Sequence, residues 1–182
     1  MPAYHSSHNQ RQGVKLVGGV ALLPFHAHHT RGPAPRPGPE DEVDIIDETL
    51  KFFKANVFFQ SYEVRGPADL LLIYLTLYTH QCIMRVAKTT SKDGAQRALF
   101  QLAQENFSLP CDSGFQLSSY YQPLSSKSDG DELRAYLKQC REELGNRLAE
   151  RCCDASDKPS KWWVCFAKRK FLGKSLEGPG SR

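Results

Sequence analysis

The chain has little that announces chemistry. Across its 182 residues there is no G-x-x-x-x-G-K-[ST] and no G-x-G-x-x-G pattern, and Gly18–Gly19 belongs to neither. That excludes the common backbone cradles for nucleotide phosphates. Ser113–Gly114 lacks the G-x-S-x-G context of a nucleophile elbow, and no cysteine has a histidine whose placement the sequence specifies. There are six cysteines (Cys82, Cys111, Cys140, Cys152, Cys153, Cys165) but no C-x-x-C pair, so zinc spacing is missing. The opening residues, MPAYHSSHNQRQG, carry no apolar h-region. No secretory leader is expected, the chain is expected in the cytosol, and its cysteines are expected to be reduced. Cys82, Cys140 and Cys165 then read as small hydrophobes inside apolar patterns, and nothing near the adjacent Cys152 and Cys153 marks an oxidoreductase. His5, His8, His26, His28 and His29 have no cysteine or carboxylate at ligand spacing. No metal, no other cofactor, no catalytic residue and no small-molecule substrate is expected, and the chain reads as non-enzymatic.

A membrane span is missing too. The run from Leu70 to Met84 is uncharged, but His80 and Gln81 interrupt it, Asp69 and Arg85 bound it, and spanning takes about 20 apolar residues. Its apolar residues neither alternate nor fall on one stripe, which describes a helix covered on nearly all sides. Pro67 near the first position and Asp69 facing the dipole mark its start, and the spacing predicts a buried central helix over 67–88.

The rest of the chain supplies the cover. Residues 1–42 read as an extended arm with one apolar island, Val14 to Phe25, and a proline-dense connector, RGPAPRPGP. Glu40, Asp41, Glu42 and Asp44 open a helix predicted from Val43 to Phe59, with Ile46, Leu50, Phe53 and Val57 on one face. Ser91 or Asp93 caps a third helix whose face of Ala95, Leu99, Leu102 and Ala103 is broadened by Phe100. From Asn106 to Ser128 runs a long aromatic loop, either pinned to the core or used as a contact surface. A fourth helix starts at Asp129 or Asp131 and carries Leu133, Leu137, Cys140, Leu144 and Leu148 at helical spacing until Cys152. Its other face, with Arg134, Lys138, Glu142, Arg147 and Glu150, reads as a solvated surface. Pro159 begins a short last helix that ends in Lys168, Arg169 and Lys170. The expected fold is an all-α single domain over 1–182, with about five helices, an N-terminal arm and a peripheral tail over 172–182.

The formal charge of +4 says less than its distribution. From Lys158 onward stand Lys158, Lys161, Lys168, Arg169, Lys170, Lys174 and Arg182 against the single acid Glu177, with Trp162, Trp163 and Phe166 among them. Three readings compete: the aromatics pack the helix onto the body, they anchor an acidic protein partner, or they stack nucleic-acid bases while the lysines neutralise phosphates. Packing ranks first on these grounds, a protein interface second and nucleic acid last. His80 reads as a core histidine bonded to a neighbour.

At these residues the chain resembles a known family. PAYHSS, KLVGGVALLP from Lys15, FFKANVFF from Phe52, LIYLTLY from Leu72, NFSLP from Asn106, DELRAYLKQCREELGNRL from Asp131 and DKPSKWWVCFAKRKF from Asp157 are similar to subunit 3, the p21-type small subunit, of the actin-related protein 2/3 complex. The resemblance implies an all-helical scaffold without catalysis, in a seven-subunit complex that nucleates actin filaments as branches. It implies packing against actin-related protein 3, contact with the other subunits and the actin filament, and a cytoplasmic, cytoskeletal place in projections such as lamellipodia. Lys158, Lys161, Trp162, Trp163, Lys168, Arg169 and Lys170 are the expected partner-facing residues, with Lys15 and Leu16 of the arm a second candidate. The alternative is a free basic helical module binding nucleic acid through the same C-terminal run.

Overall fold

The computed structural model describes residues 2–28 and 30–177. At its centre lies α2 (Pro67–Val86), with Pro67 in the first turn and every residue from Ala68 to Ile83 buried. A helix without a polar face has no side to give to water, so the other helices close around it. Buried hydroxyls on it are satisfied within the helix: Thr76 donates to the Leu72 carbonyl (2.6 Å) and Thr79 to that of Leu75 (2.7 Å). Among the described residues no helix is long and apolar enough to cross a membrane.

Helices α1 (Ile45–Asn56), α3 (Lys92–Gln104), α4 (Lys127–Arg151) and α5 (Lys161–Val164) all pack on α2, and α3 also runs along α4. Gly145 of α4 lies against Leu99 of α3 at that contact. The fold is dominated by helices, as expected, but several boundaries move. The Asp44 carboxylate accepts from the Asp47 N–H (3.0 Å), so α1 starts after it, and Glu40 and Asp41 form a separate 3-10 turn. Ser91 caps α3 through the Gly94 N–H (3.1 Å), one of the two expected caps, but Phe100 stays 62% exposed instead of broadening the buried face. Helix α4 begins before Asp129, because Ser126 accepts from the Asp129 N–H (3.1 Å) and puts that acid in the first turn. Helix α5 starts after its cap Ser160 rather than at Pro159, and it passes into a 3-10 turn at Cys165–Lys168.

The arm is part of the core rather than a strap laid over it. Strands β1 (Leu16–Val17) and β2 (Val20–Ala21) pair antiparallel around Gly18–Gly19, whose φ angles of +60° and +83° suit a tight two-residue hairpin. Val17, Val20 to Leu23 and Phe25 are buried, and the Tyr136 hydroxyl donates to the Leu23 carbonyl (2.6 Å). Ahead of the hairpin, the Ser6 hydroxyl donates to Glu48 (2.6 Å) and the Ser6 N–H to Asp69 (2.9 Å), both acids being buried. The aromatic loop is pinned: Phe115, Leu117 and Tyr121 are buried, and the Tyr121 hydroxyl donates to the Leu70 carbonyl (2.8 Å). The tail is not peripheral as far as it is described, since Leu172 and Ser175 are buried and Glu177 pairs with Arg85. Its residues 178–182, Arg182 included, lie outside the described residues.

Candidate partner-binding surface

The chain turns back at the end of α4, where the Ser160 N–H donates to the Cys152 carbonyl (2.7 Å) and Cys153 bridges to Pro159. That turn sets α5 and its 3-10 extension against the end of α1. One turn of helix then divides the two tryptophans. Trp163 faces inward, 9% exposed, its ring stacked on Phe53 at 6.3 Å and capped by the Lys54 ammonium at 4.3 Å. Trp162 faces outward at 68% exposed, with the Lys161 ammonium 5.0 Å from its ring. The packing reading therefore holds for Trp163 and fails for Trp162. A tryptophan left in water forgoes the burial of one of the largest apolar side chains.

Phe166 continues the inward side, edge-on to Phe53 (5.9 Å) and Phe58 (6.0 Å). Phe58 is itself 52% exposed and carries the Arg169 guanidinium 5.1 Å over its ring. Phe58 joins this surface although sequence reasoning put it within α1, which ends at Asn56. Lys158, Lys161, Lys168, Arg169 and Lys170 are all exposed, and none forms an ion pair among the described residues. The result is two exposed aromatics, Trp162 and Phe58, each with a cation against its ring, among cations that form no ion pair within the described residues, a composition found at interfaces with acidic partners.

Lys15 and Leu16 do not belong to this patch. Lys15 pairs with Glu132 (2.5 Å) in the first turns of α4, whereas α5 follows that helix's far end, about 30 Å away at 1.5 Å per residue. Leu16 is 53% exposed, so the hairpin edge is a separate, smaller surface.

Other sequence candidates resolve into structure. His80 is buried and shares a hydrogen bond between Nε2 and the Ala167 carbonyl (3.1 Å), as expected of a core histidine. Burial pushes its imidazole down from the ordinary value, against that bond and helped by Lys170. Burial pushes the Cys82 thiol up to about 12, so it stays an inert thiol. Cys140 is buried as expected, but Cys165 is exposed, because it lies on the outer side of the turn that follows α5. Arg147, expected in water, is a nearly buried ion-pair hub. Among the described residues no group of three histidines, cysteines or acids could hold a metal; His29 lies outside them.

Comparison with known proteins supplies the setting for this surface. The family model described as "P21-Arc: ARP2/3 complex ARPC3 (21 kDa) subunit" matches residues 1–176. A Dictyostelium discoideum protein named actin-related protein 2/3 complex subunit 3 is 47% identical, over 95% of this chain and 99% of its own length. Proteins of the same name from Schizosaccharomyces pombe (46% identical, 97% of this chain and 100% of the relative) and Arabidopsis thaliana (39%, 93% and 96%) match similarly.

Proposed function

The chain belongs to the P21-Arc family of actin-related protein 2/3 complex subunits, a family without catalytic activity, and we propose that it serves in that complex as a structural subunit packed against actin-related protein 3. In this reading it helps hold the actin-related subunits in their filament-like arrangement and adds contacts to the actin filament at the branch. It works in the cytoplasm at the actin cytoskeleton, including projections such as lamellipodia. Lys158, Lys161, Trp162, Lys168, Arg169 and Lys170, joined by Phe58, form the face toward the complex, with Trp163 holding that face in place from inside. Lys15 and Leu16 offer a second, smaller contact.

Trp162 carries the assignment of the face: it is a large aromatic, 68% exposed, set among cations that no acid in the described chain neutralises. Anchors of this kind do their work when a partner buries them. The nucleic-acid reading draws no support from the family, and the structure leaves it one free indole where the sequence offered two.

The test is reconstitution of the complex with Lys168→Glu, Arg169→Glu and Lys170→Glu combined, and separately with Trp162→Ala. The expected result is weakened incorporation and branching at physiological salt. Unchanged assembly and branching for both variants would remove this face from the account. Deleting the arm is not an equivalent test of its contact, since Val17 to Phe25 belong to the core; Lys15→Ala with Leu16→Ser is.

A further inference from the structure

A different feature shares no residue with the basic–aromatic face. Between the C-terminal half of α2, the loop over 105–116 and the segment 174–177 lies a cleft of about 1090 Å³. Tyr74, Leu77, Phe107 and Phe115 give it apolar walls, with Tyr74 6.5 Å from Phe107 and 6.2 Å from Phe115 between ring centroids. Arg141 also lines it, 2% exposed, its guanidinium 4.4 Å from the Tyr78 ring and 4.3 Å from that of Phe107.

Arg141 is a buried cation that forms no ion pair among the described residues. It donates to neutral oxygens, the Leu102 carbonyl (2.8 Å) and the Tyr74 hydroxyl (3.4 Å), while its Nε finds no acceptor among the described residues. The acids of the cleft are already taken, since Arg85 holds Glu105 (2.8 Å) and Glu177 (3.1 Å). The lining therefore sets three cations, Arg85, Arg141 and Lys174, against two acids, and the one surplus positive charge acts more strongly in a partly desolvated cleft than it would in water.

We propose that this cleft receives an acidic segment of a partner polypeptide: an aspartate or glutamate drawn to Lys174 and Arg141, with a neighbouring apolar side chain against Phe107 and Leu176, the half-buried apolar residues of its lining. Charge complementarity selects the carboxylate and the walls select its neighbour. The cleft mixes polar with apolar lining throughout, which suits a chain segment that carries both kinds of side chain.

The test titrates the full chain, methyl-labelled at leucine, with the acetylated and amidated peptide Leu-Asp-Phe-Glu. Controls are the uncharged Leu-Asn-Phe-Gln and 3-phenylpropionate. The acidic peptide is expected to shift the methyl signals of Leu77 and Leu176, and to bind about fivefold less tightly to Lys174→Glu, the scale of one exposed charge pair. Arg141→Met is expected to weaken it further; if that variant does not fold, Lys174→Glu, changed at an exposed position, still decides. Equal binding of the uncharged peptide, or unchanged affinity in Lys174→Glu, would overturn the proposal. So would shifts confined to other methyls, or 3-phenylpropionate binding as tightly as the peptide.

Discussion

Replacing Arg147 with methionine should be among the most damaging single changes outside the apolar core. Its guanidinium donates to both oxygens of Asp44 (2.8 and 2.9 Å), to Glu143 (2.9 Å) and to the His26 carbonyl (2.5 Å). It thereby fastens the arm and the start of α1 to α4. The side chains of Asp44 and Glu143 are at most 1% exposed, and methionine keeps the length of the stem while leaving both carboxylates buried and unpaired. Breaking a buried pair from one side costs about 3–5 kcal/mol. For a chain of this size about 2–4 °C accompanies each kcal/mol, so Tm should fall by roughly 6–20 °C. The pH dependence tests the cause. Burial alone would raise the Asp44 carboxyl, but the hydrogen bonds from Arg147 and from the backbone N–H groups of His26 and Asp47 outweigh it and hold the group below its usual range. A depressed folded pKa contributes stability that is present above the unfolded value, about 3.9, and is lost as pH falls through the folded one. In Arg147→Met the burial acts with less opposition and the carboxyl rises. The stability gap between the two proteins should therefore be widest at pH 7 and narrow as pH falls through 4. Thermal unfolding followed by circular dichroism at both pH values measures it. A loss below about 1 kcal/mol, or a gap that does not change with pH, would refute the reasoning.

Three further expectations are independent of that network. Trp163→Ala should cost about 3 kcal/mol in urea unfolding, whereas Trp162→Ala should stay within about 0.5 kcal/mol, because only the first empties a packed site. Gly18→Ala should cost about 1–2 kcal/mol, since its φ of +60° strains any residue with a Cβ and the Gln122 carbonyl lies 3.3 Å from where that Cβ would be. Burial lowers the His80 imidazole, so its contribution is present above the unfolded value of about 6.5 and is lost as pH falls below it. His80→Gln should accordingly flatten the decline of the urea midpoint between pH 7 and pH 5, and an unchanged slope would count against that histidine.

The central helix was legible because an uncharged run with no period can be satisfied only by burial, and Leu70 to Ile83 are buried on every side. The start of α4 was less so. Ser125, Ser126 and Ser128 offer nearly equivalent caps ahead of Asp129, and geometry rather than composition chooses Ser126. The arm reads from sequence as extended, without a hairpin, because its strands are two residues each, too short for alternation to register; the Gly18–Gly19 turn was its real signal. Arg147 looked like part of a solvated face because helical spacing says nothing of what the distant residues His26 and Asp44 bring to it. The same limit hid the binding of Ser6 to Glu48 and Asp69. In the candidate surface, composition picked out cations that the fold leaves exposed, but it could not divide Trp162 from Trp163, which takes the direction of one short helix, or add Phe58, which the turn after α1 brings alongside Phe166.

Membership of a multi-subunit assembly is what the family predicts of this chain. Its most direct test is recovery of the tagged full chain from cytosol at moderate salt, with the bound proteins identified and quantified by mass spectrometry. Stoichiometric recovery of two actin-related proteins and the other small subunits is the predicted result. Recovery of the chain alone, or with nucleic acid in place of those proteins, would contradict it.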